Sequence, residues 1–328
     1  MRDFQVLDIS ERDLQDRYDI MLFSHSEETR CTTSLDFLEK QEALRGPAHR
    51  RRRAQSSFLL SMPKLGDALD APRWSELTKL SDAVAPMSLE YRETEAIWAA
   101  LGALEKAHSS WKVFVDYSSM PPAWYSALIE WARQLPGSRA VELDFWYTIP
   151  GYVPEKEFYP LQVRDVLPIP GCEGPLPDER MRTPRMAIFG LGFDGIVASE
   201  VYEDLQQPTL FAYYADPVPL NGYAERARKE NRRLLQSSAR APIPLPLCSI
   251  GATYSYLAEM AMMSLHHGVE CSFVPMGPKP HVLSALLVAL RYGVACYHPT
   301  GRRDKPISTE ASSYRVLTRV VLRPVRKP

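Results

Sequence analysis

Residues 186–216 read MAIFGLGFDGIVASEVYEDLQQPTLFAYYAD. A short apolar run from Met186 gives way to Gly190-Leu191-Gly192-Phe193-Asp194-Gly195, then to a helical stretch from Gly195 to Leu205 and a second apolar run from Thr209 to Ala215. Strand, glycine turn, helix and strand form the unit of a parallel sheet, because parallel neighbours need a long crossover between them. Glycines at 190, 192 and 195 permit a tight turn. They also let backbone N–H groups approach a phosphate, which the helix N-terminus favours electrostatically. Asp216 closes the second strand 21 residues after Gly195, where dinucleotide folds carry an acid for the ribose. Asp194 counts against a pyrophosphate in this turn. A tightly packed strand–helix turn, with Asp216 opening DPVPLNG, accounts for the same residues without a ligand.

The alternation extends outward in both directions. Downstream come a charged helix over 223–237, a strand near 245–250, a helix over 254–266, a strand over 270–274, a helix over 281–291 and a strand over 294–298. Upstream, a strand over 18–23 leads into a helix bearing Cys31, Leu35 and Leu38, followed by a strand over 57–61. A helix over 90–107, a strand over 112–116, a helix marked by Trp124, Leu128, Ala132 and Leu135, and a strand over 140–148 complete that half. Residues 63–89 yield no clear pattern. Eight prolines between 150 and 184 argue against long regular elements there. The expected fold is α/β, with two Rossmann-like lobes whose mainly parallel sheets are flanked by helices. Its divisions are an N-terminal α/β lobe over 1–155, a Pro-rich connection over 156–184 and a C-terminal lobe over 185–328. The tail over 313–322 reads as a terminal edge strand with Arg315, Arg319 and Arg323 on a solvated face.

Thirty-nine Lys and Arg balance 40 Asp and Glu, so the body of the protein is no general electrostatic magnet for nucleic acid. His49 to Arg53 is the one concentrated basic run. It reads as a solvated loop, or as a dock for nucleic acid or an acidic partner at Arg50–Arg53. The longest apolar stretch, Val282 to Leu290, is far short of the ~20 residues a membrane helix needs. No secretory signal opens the sequence, and five scattered cysteines suit reduced thiols, so a cytoplasmic protein without membrane partners is expected.

Ligands of doubly wound sheets sit outside the carboxyl ends of the strands, so the turns there are the places to look. Met276-Gly277-Pro278-Lys279-Pro280-His281 is one: Gly277 allows close approach, the prolines stiffen the turn, and Lys279 brings a positive charge to a helix N-terminus. Ser24-His25-Ser26 and Asp116-Tyr117-Ser118-Ser119 are two more, with hydroxyls able to meet a base, ribose or phosphate. Helix capping by Ser26 and by Ser118 or Ser119 accounts for those hydroxyls equally well. Arg30 is expected to pair with Glu27. Phe145-Trp146-Tyr147 reads as a buried strand, and His266-His267 as a helix end, not a metal pair. His298 stands at a strand end, where it could serve as an acid or base or be structural.

With these turns assembled, the chain resembles the Rossmann-type sensor proteins of prokaryotic defence systems, including the CRISPR-associated Rossmann fold (CARF) group. The resemblance lies in the GPKPH turn and apolar helix over 276–290, the VDYSSMP turn over 115–121 and the GFDG turn over 192–195. It implies recognition of a nucleotide or cyclic oligonucleotide, often across a homodimer, with Lys279 near phosphate. No effector follows Arg303 in the remaining 25 residues, so the effector is expected to be a separate protein.

GxSxG, Walker A, HExxH, EF-hand and zinc-ribbon patterns are absent. The first expectation is therefore a nucleotide-binding sensor or adaptor without catalysis of its own. In it Gly277, Lys279 and His281, with Asp116, Ser118, Ser119, Ser24 and Ser26, supply the ligand contacts. The second is an NAD(P)-dependent enzyme using Gly190, Gly192, Gly195 and Asp216. The third is an interaction subunit with an empty crevice.

Overall fold

Ile20, Met21, Leu22 and Phe23 are all fully buried although they are consecutive in one strand. Successive strand residues point to opposite faces, so such a run can be buried only where helices cover both sides of the sheet. Ala187 to Phe189 and Val113 to Val115 repeat the pattern. The computed structural model describes residues 2–26, 28–44, 53–62, 74–104, 110–136, 140–152, 161–174, 184–206, 208–302 and 310–324.

In chain order the strands are β1 (Arg2–Ile9), β2 (Tyr18–Ser24), β3 (Ala54–Ser61), β4 (Ser81–Ser88), β5 (Ser110–Asp116), β6 (Ala140–Pro150) and β7 (Gln162–Pro168). They continue with β8 (Arg185–Leu191), β9 (Thr209–Ala215), β10 (Ile243–Leu245), β11 (Glu270–Pro275), β12 (Ala295–Arg302) and β13 (Ala311–Pro324). The helices are α1 (Thr33–Leu44), α2 (Trp74–Leu80), α3 (Glu95–Leu104), α4 (Pro122–Gln134), α5 (Gly195–Asp204), α6 (Tyr223–Glu230), α7 (Arg232–Leu235), α8 (Ile250–His266) and α9 (Lys279–Tyr292).

The chain forms two compact units, Met1–Gly151 with Ser308–Pro328, and Tyr152–Ile307. The first holds a seven-stranded sheet in the order β1-β13-β6-β5-β2-β3-β4. Strands β2 to β6 are parallel, whereas β13 is antiparallel to both β6 and β1. The second holds a six-stranded sheet in the order β10-β9-β8-β11-β12-β7, parallel except for β7. Both are α/β units with mainly parallel sheets flanked by helices, and both arrange their five parallel strands in the order third, second, first, fourth, fifth. The direction of winding therefore reverses between β2 and β5 in one unit and between β8 and β11 in the other. In such sheets the crevice forms at that reversal.

Helix pairs α1 with α2 and α3 with α4 pack in the first unit, and α5 with α7 and α8 with α9 in the second. Tyr18, Phe23, Phe114 and Trp146 fill one core of the first unit beneath Leu35 and Leu38 of α1. Phe189, Val197, Val201 and Leu234 anchor α5 and α7 on the second sheet. No helix among the described residues is long and apolar enough to cross a membrane.

Several elements differ from the sequence reading. The tail expected at the edge of the C-terminal lobe lies inside the first sheet, between β1 and β6. Val316, Val320 and Leu322 are buried there, and two of the three arginines read as solvated are engaged, Arg319 with Asp144 and Arg315 with Glu11 and over Trp146, whereas Arg323 is exposed. The proline-rich segment contains the edge strand β7, where Pro168 ends the strand and no interior ladder bond is lost. Pro154, Pro160, Pro175 and Pro177 lie outside the described residues. The helix expected over 223–237 breaks at Asn231. Helix α8 begins earlier than expected, at Ile250, where the Ser249 hydroxyl accepts the Ala252 N–H. The segment over 63–89 supplies α2 and β4.

Candidate functional site

The reversal in the second unit brings together two turns whose meeting residues, Gly192 and Met276, lie 84 positions apart in the sequence. The Met276 N–H donates to the Gly190 carbonyl at 2.8 Å. A Cβ on Gly192 would run into the Met276 carbonyl oxygen, and one on Gly277 would stand 3.0 Å from the Leu191 carbonyl oxygen. The turns therefore lie backbone on backbone, with no room for side chains between them. Each opens a helix, α5 at Gly195 and α9 at Lys279, so the positive ends of two helix dipoles start at one edge of the sheet. In α9 Pro280 has no N–H and the His281 N–H is already bonded to the Pro278 carbonyl, so Lys279 supplies the charge there. Pro278 precedes α9, and every residue from Pro280 to Leu290 is buried, which fixes the direction of that helix. Lys279, its first residue, is half-buried. The nearby His298 has its pKa pushed down to about 4, chiefly by burial and further by the Lys279 charge.

The three glycines of GLGFDG have separate structural reasons. Gly190 lies against the Tyr213 ring, where a Cβ would stand 2.7 Å from the phenolic oxygen. Gly192 abuts Met276, and Gly195 abuts the Glu230 carbonyl where α6 gives way to α7. Asn231, at that helix break, is buried and donates from Nδ2 to the carbonyls of Gly192 and Ala227, both at 2.7 Å. The sequence reading missed Asn231. Its only local signal is an uncharged amide inside the charged run from Glu225 to Arg233. The Asp194 carboxylate, a difficulty for an anion at this turn, accepts the Leu161 N–H at 3.3 Å. Asp216 follows the last residue of β9 and is half-buried. Its N–H donates to Leu245 at 2.8 Å.

His281 does not join the turn's open side. It is 1 % exposed, with Nε2 3.3 Å from the Pro246 carbonyl and its ring 5.5 Å from that of Tyr213. Burial pushes its pKa down to about 4, so it is a neutral packing residue beneath the turn.

In the first unit, the reversal joins Ser24 at the end of β2 to Ser119 after β5, Oγ to Oγ at 2.6 Å. Ser119 also donates to the Ser24 carbonyl at 3.2 Å. With one proton per hydroxyl, Ser24 is then the donor between the two Oγ atoms. Asp116 and Ser118, expected as ligand contacts, are buried and satisfied internally. The Asp116 carboxylate accepts the Ser34 hydroxyl and, at 3.0 Å, the Ser118 N–H. Its pKa is pushed up to about 6, mainly by burial. The Ser118 hydroxyl accepts the Thr148 N–H at 2.9 Å. Ser26 accepts the Glu28 N–H at 3.1 Å, a local turn of the capping kind. Arg30 is buried against Glu28 and the Thr148 carbonyl; Glu27, its expected partner, lies outside the described residues.

The candidate residues thus divide between two units. In the first, Ser24 pairs with Ser119, Asp116 and Ser118 are bonded to each other and to Ser34 and Thr148, and Ser26 closes a local turn at Glu28. Gly190, Gly192, Gly195, Asp216, Gly277 and Lys279 frame a backbone-lined turn pair in the second. The basic run is only partly visible: Arg50, Arg51 and Arg52 lie outside the described residues, and Arg53 is buried on Glu42 at 2.7 Å.

No protein-family model matches this sequence, and no curated protein matches it. Among solved structures, one described as a universal stress protein from Pseudomonas aeruginosa UCBPP-PA14 is 13% identical, with 86% of this chain and 94% of that chain covered at a TM-score of 0.23.

Proposed function

We propose that the second unit binds a nucleotide through its phosphate at the β8/β11 reversal, and that the protein acts as a nucleotide-dependent sensor or adaptor. The observation that carries this reading is the backbone apposition of the Gly192 and Met276–Gly277 turns, each opening a helix. Two helix N-termini and a lysine side chain at one sheet edge favour an anion with several oxygens. The hydrogen bond from Leu161 to Asp194 engages the one acid inside the turn. A sensor role in prokaryotic defence, with a separate effector and a homodimeric site, rests on the resemblance of residues 115–121, 192–195 and 276–290 alone.

The test is thermal unfolding of the purified protein with NAD(P), mononucleotides, and cyclic di- and oligonucleotides. A ligand at a hundredfold its Kd adds ~2.7 kcal/mol, a rise of about 5–10 °C for a unit of this size. Lys279→Ala should abolish the rise while leaving the ligand-free midpoint unchanged. A rise that survives in that variant, or none with any compound, overturns the reading.

A second reading, an NAD(P)-dependent enzyme, is favoured by Asp216, which stands at the end of the strand beside β8, where a ribose would be met. It expects a rise with NAD(P) alone, reduced in Asp216→Ala.

A further inference from the structure

Beside the glycine turn, three half-buried aromatic rings meet from three separate segments of the second unit: Tyr152, Phe193 within the turn itself, and Tyr223 at the start of α6. Their centroids lie 4.6 Å apart for Phe193–Tyr223 and 5.6 Å apart for each of the pairs with Tyr152. The Arg226 guanidinium lies 4.9 Å from the centre of the Phe193 ring. Core rings such as Tyr117 and Phe145 are buried almost completely, but these three are not. The phenolic oxygen of Tyr152 is nevertheless buried and has no hydrogen-bond partner among the described residues.

The chain path sets this cluster beside the proposed phosphate position. Phe193 immediately follows Gly192, and Tyr223 ends the loop that Asp216 begins. Glycine turn, Asp216 and aromatic rings therefore succeed one another along the two adjacent strand ends of β8 and β9.

We infer that Tyr152, Phe193 and Tyr223 form the platform for the base of a nucleotide whose phosphate sits at Gly192, Gly277 and Lys279. This rests on the phosphate reading above. Partly exposed rings stack on any nucleobase, because each base has a π face, and the Arg226 cation reinforces the stack.

The experiment is calorimetric titration of the full chain with AMP and with ribose 5-phosphate, which lacks the base. The wild type should bind AMP about 5- to 100-fold more tightly. Tyr223→Leu should close that gap and leave the ribose 5-phosphate affinity unchanged, and Phe193→Leu should act in the same direction. Equal affinities in the wild type, or weakening of both probes alike in the variants, overturn the platform while leaving the phosphate site standing. Failure of the wild type to bind either probe overturns the phosphate site and the platform with it.

Discussion

Arg319 of β13 and Asp144 of β6 face each other directly in the register of the first sheet and form a two-pronged ion pair, Nε to Oδ1 at 2.6 Å and Nη2 to Oδ2 at 2.8 Å. The Asp144 side chain is 1% exposed and also accepts the Tyr18 hydroxyl at 2.9 Å. Removing the cation leaves a buried carboxylate with one neutral donor, a loss that costs about 3–5 kcal/mol at comparable sites. Arg319→Met is therefore expected to lower the urea midpoint followed by near-ultraviolet circular dichroism. Adding Asp144→Asn should recover much of the loss, and a midpoint unchanged in the single variant would contradict the assignment.

Asp116 ties the β5 turn to α1 through Ser34, and its folded-state pKa of about 6 lies above the ordinary carboxylate value because it is buried. Between about pH 4 and 6 the folded protein retains a proton that the unfolded chain has released. The resulting stabilisation is complete below pH 4 and is lost as pH rises through 6. A separation of about two pH units corresponds to about 3 kcal/mol. Asp116→Asn keeps an acceptor for the Ser118 N–H and can donate to Ser34. It should remove this part of the decline, so that chemical denaturation at pH 5 and pH 8 gives a smaller difference than in the wild type.

Two glycine substitutions should act in opposite directions. Gly192→Ala forces a Cβ into the Met276 carbonyl, a collision between two backbones, and is expected to cost about 1–3 kcal/mol. Gly102 lies within α3, where an added Cβ meets nothing within 4 Å. Gly102→Ala should gain up to about 1 kcal/mol from helix propensity. Thermal unfolding of the two variants side by side tests whether the turn contact, and not glycine content, sets the requirement.

The parallel core of both units was legible because its signals are local: apolar runs, helical periodicity and glycines placed between them. Gly192 and Gly277 were recognisable one at a time, but their apposition depends on strand order, which no local window contains. β4 escaped because its outer positions are exposed and Pro86 interrupts its pattern, as an edge strand tolerates. β1 and β13 were illegible as partners because Arg2 pairs with Pro324 across nearly the whole sequence. His281 was misjudged because a histidine at a strand–helix turn looks accessible until α8 and the Pro246 segment are placed against it. Asn231 emerged only with the helix break it occupies.

The β13 insertion also orders events in time. During vectorial synthesis the five parallel strands β2 to β6 leave the ribosome early, yet β6 then has one bare edge and β1 has no strand to join. All of β7 to β12 must be translated before residues 311–324 can fill that gap. Until then the nascent chain presents the unpaired edge of β6, whose Phe145, Trp146 and Tyr147 are buried in the finished sheet. Such an edge can pair with another chain, so this protein should depend on chaperone cover late in its synthesis.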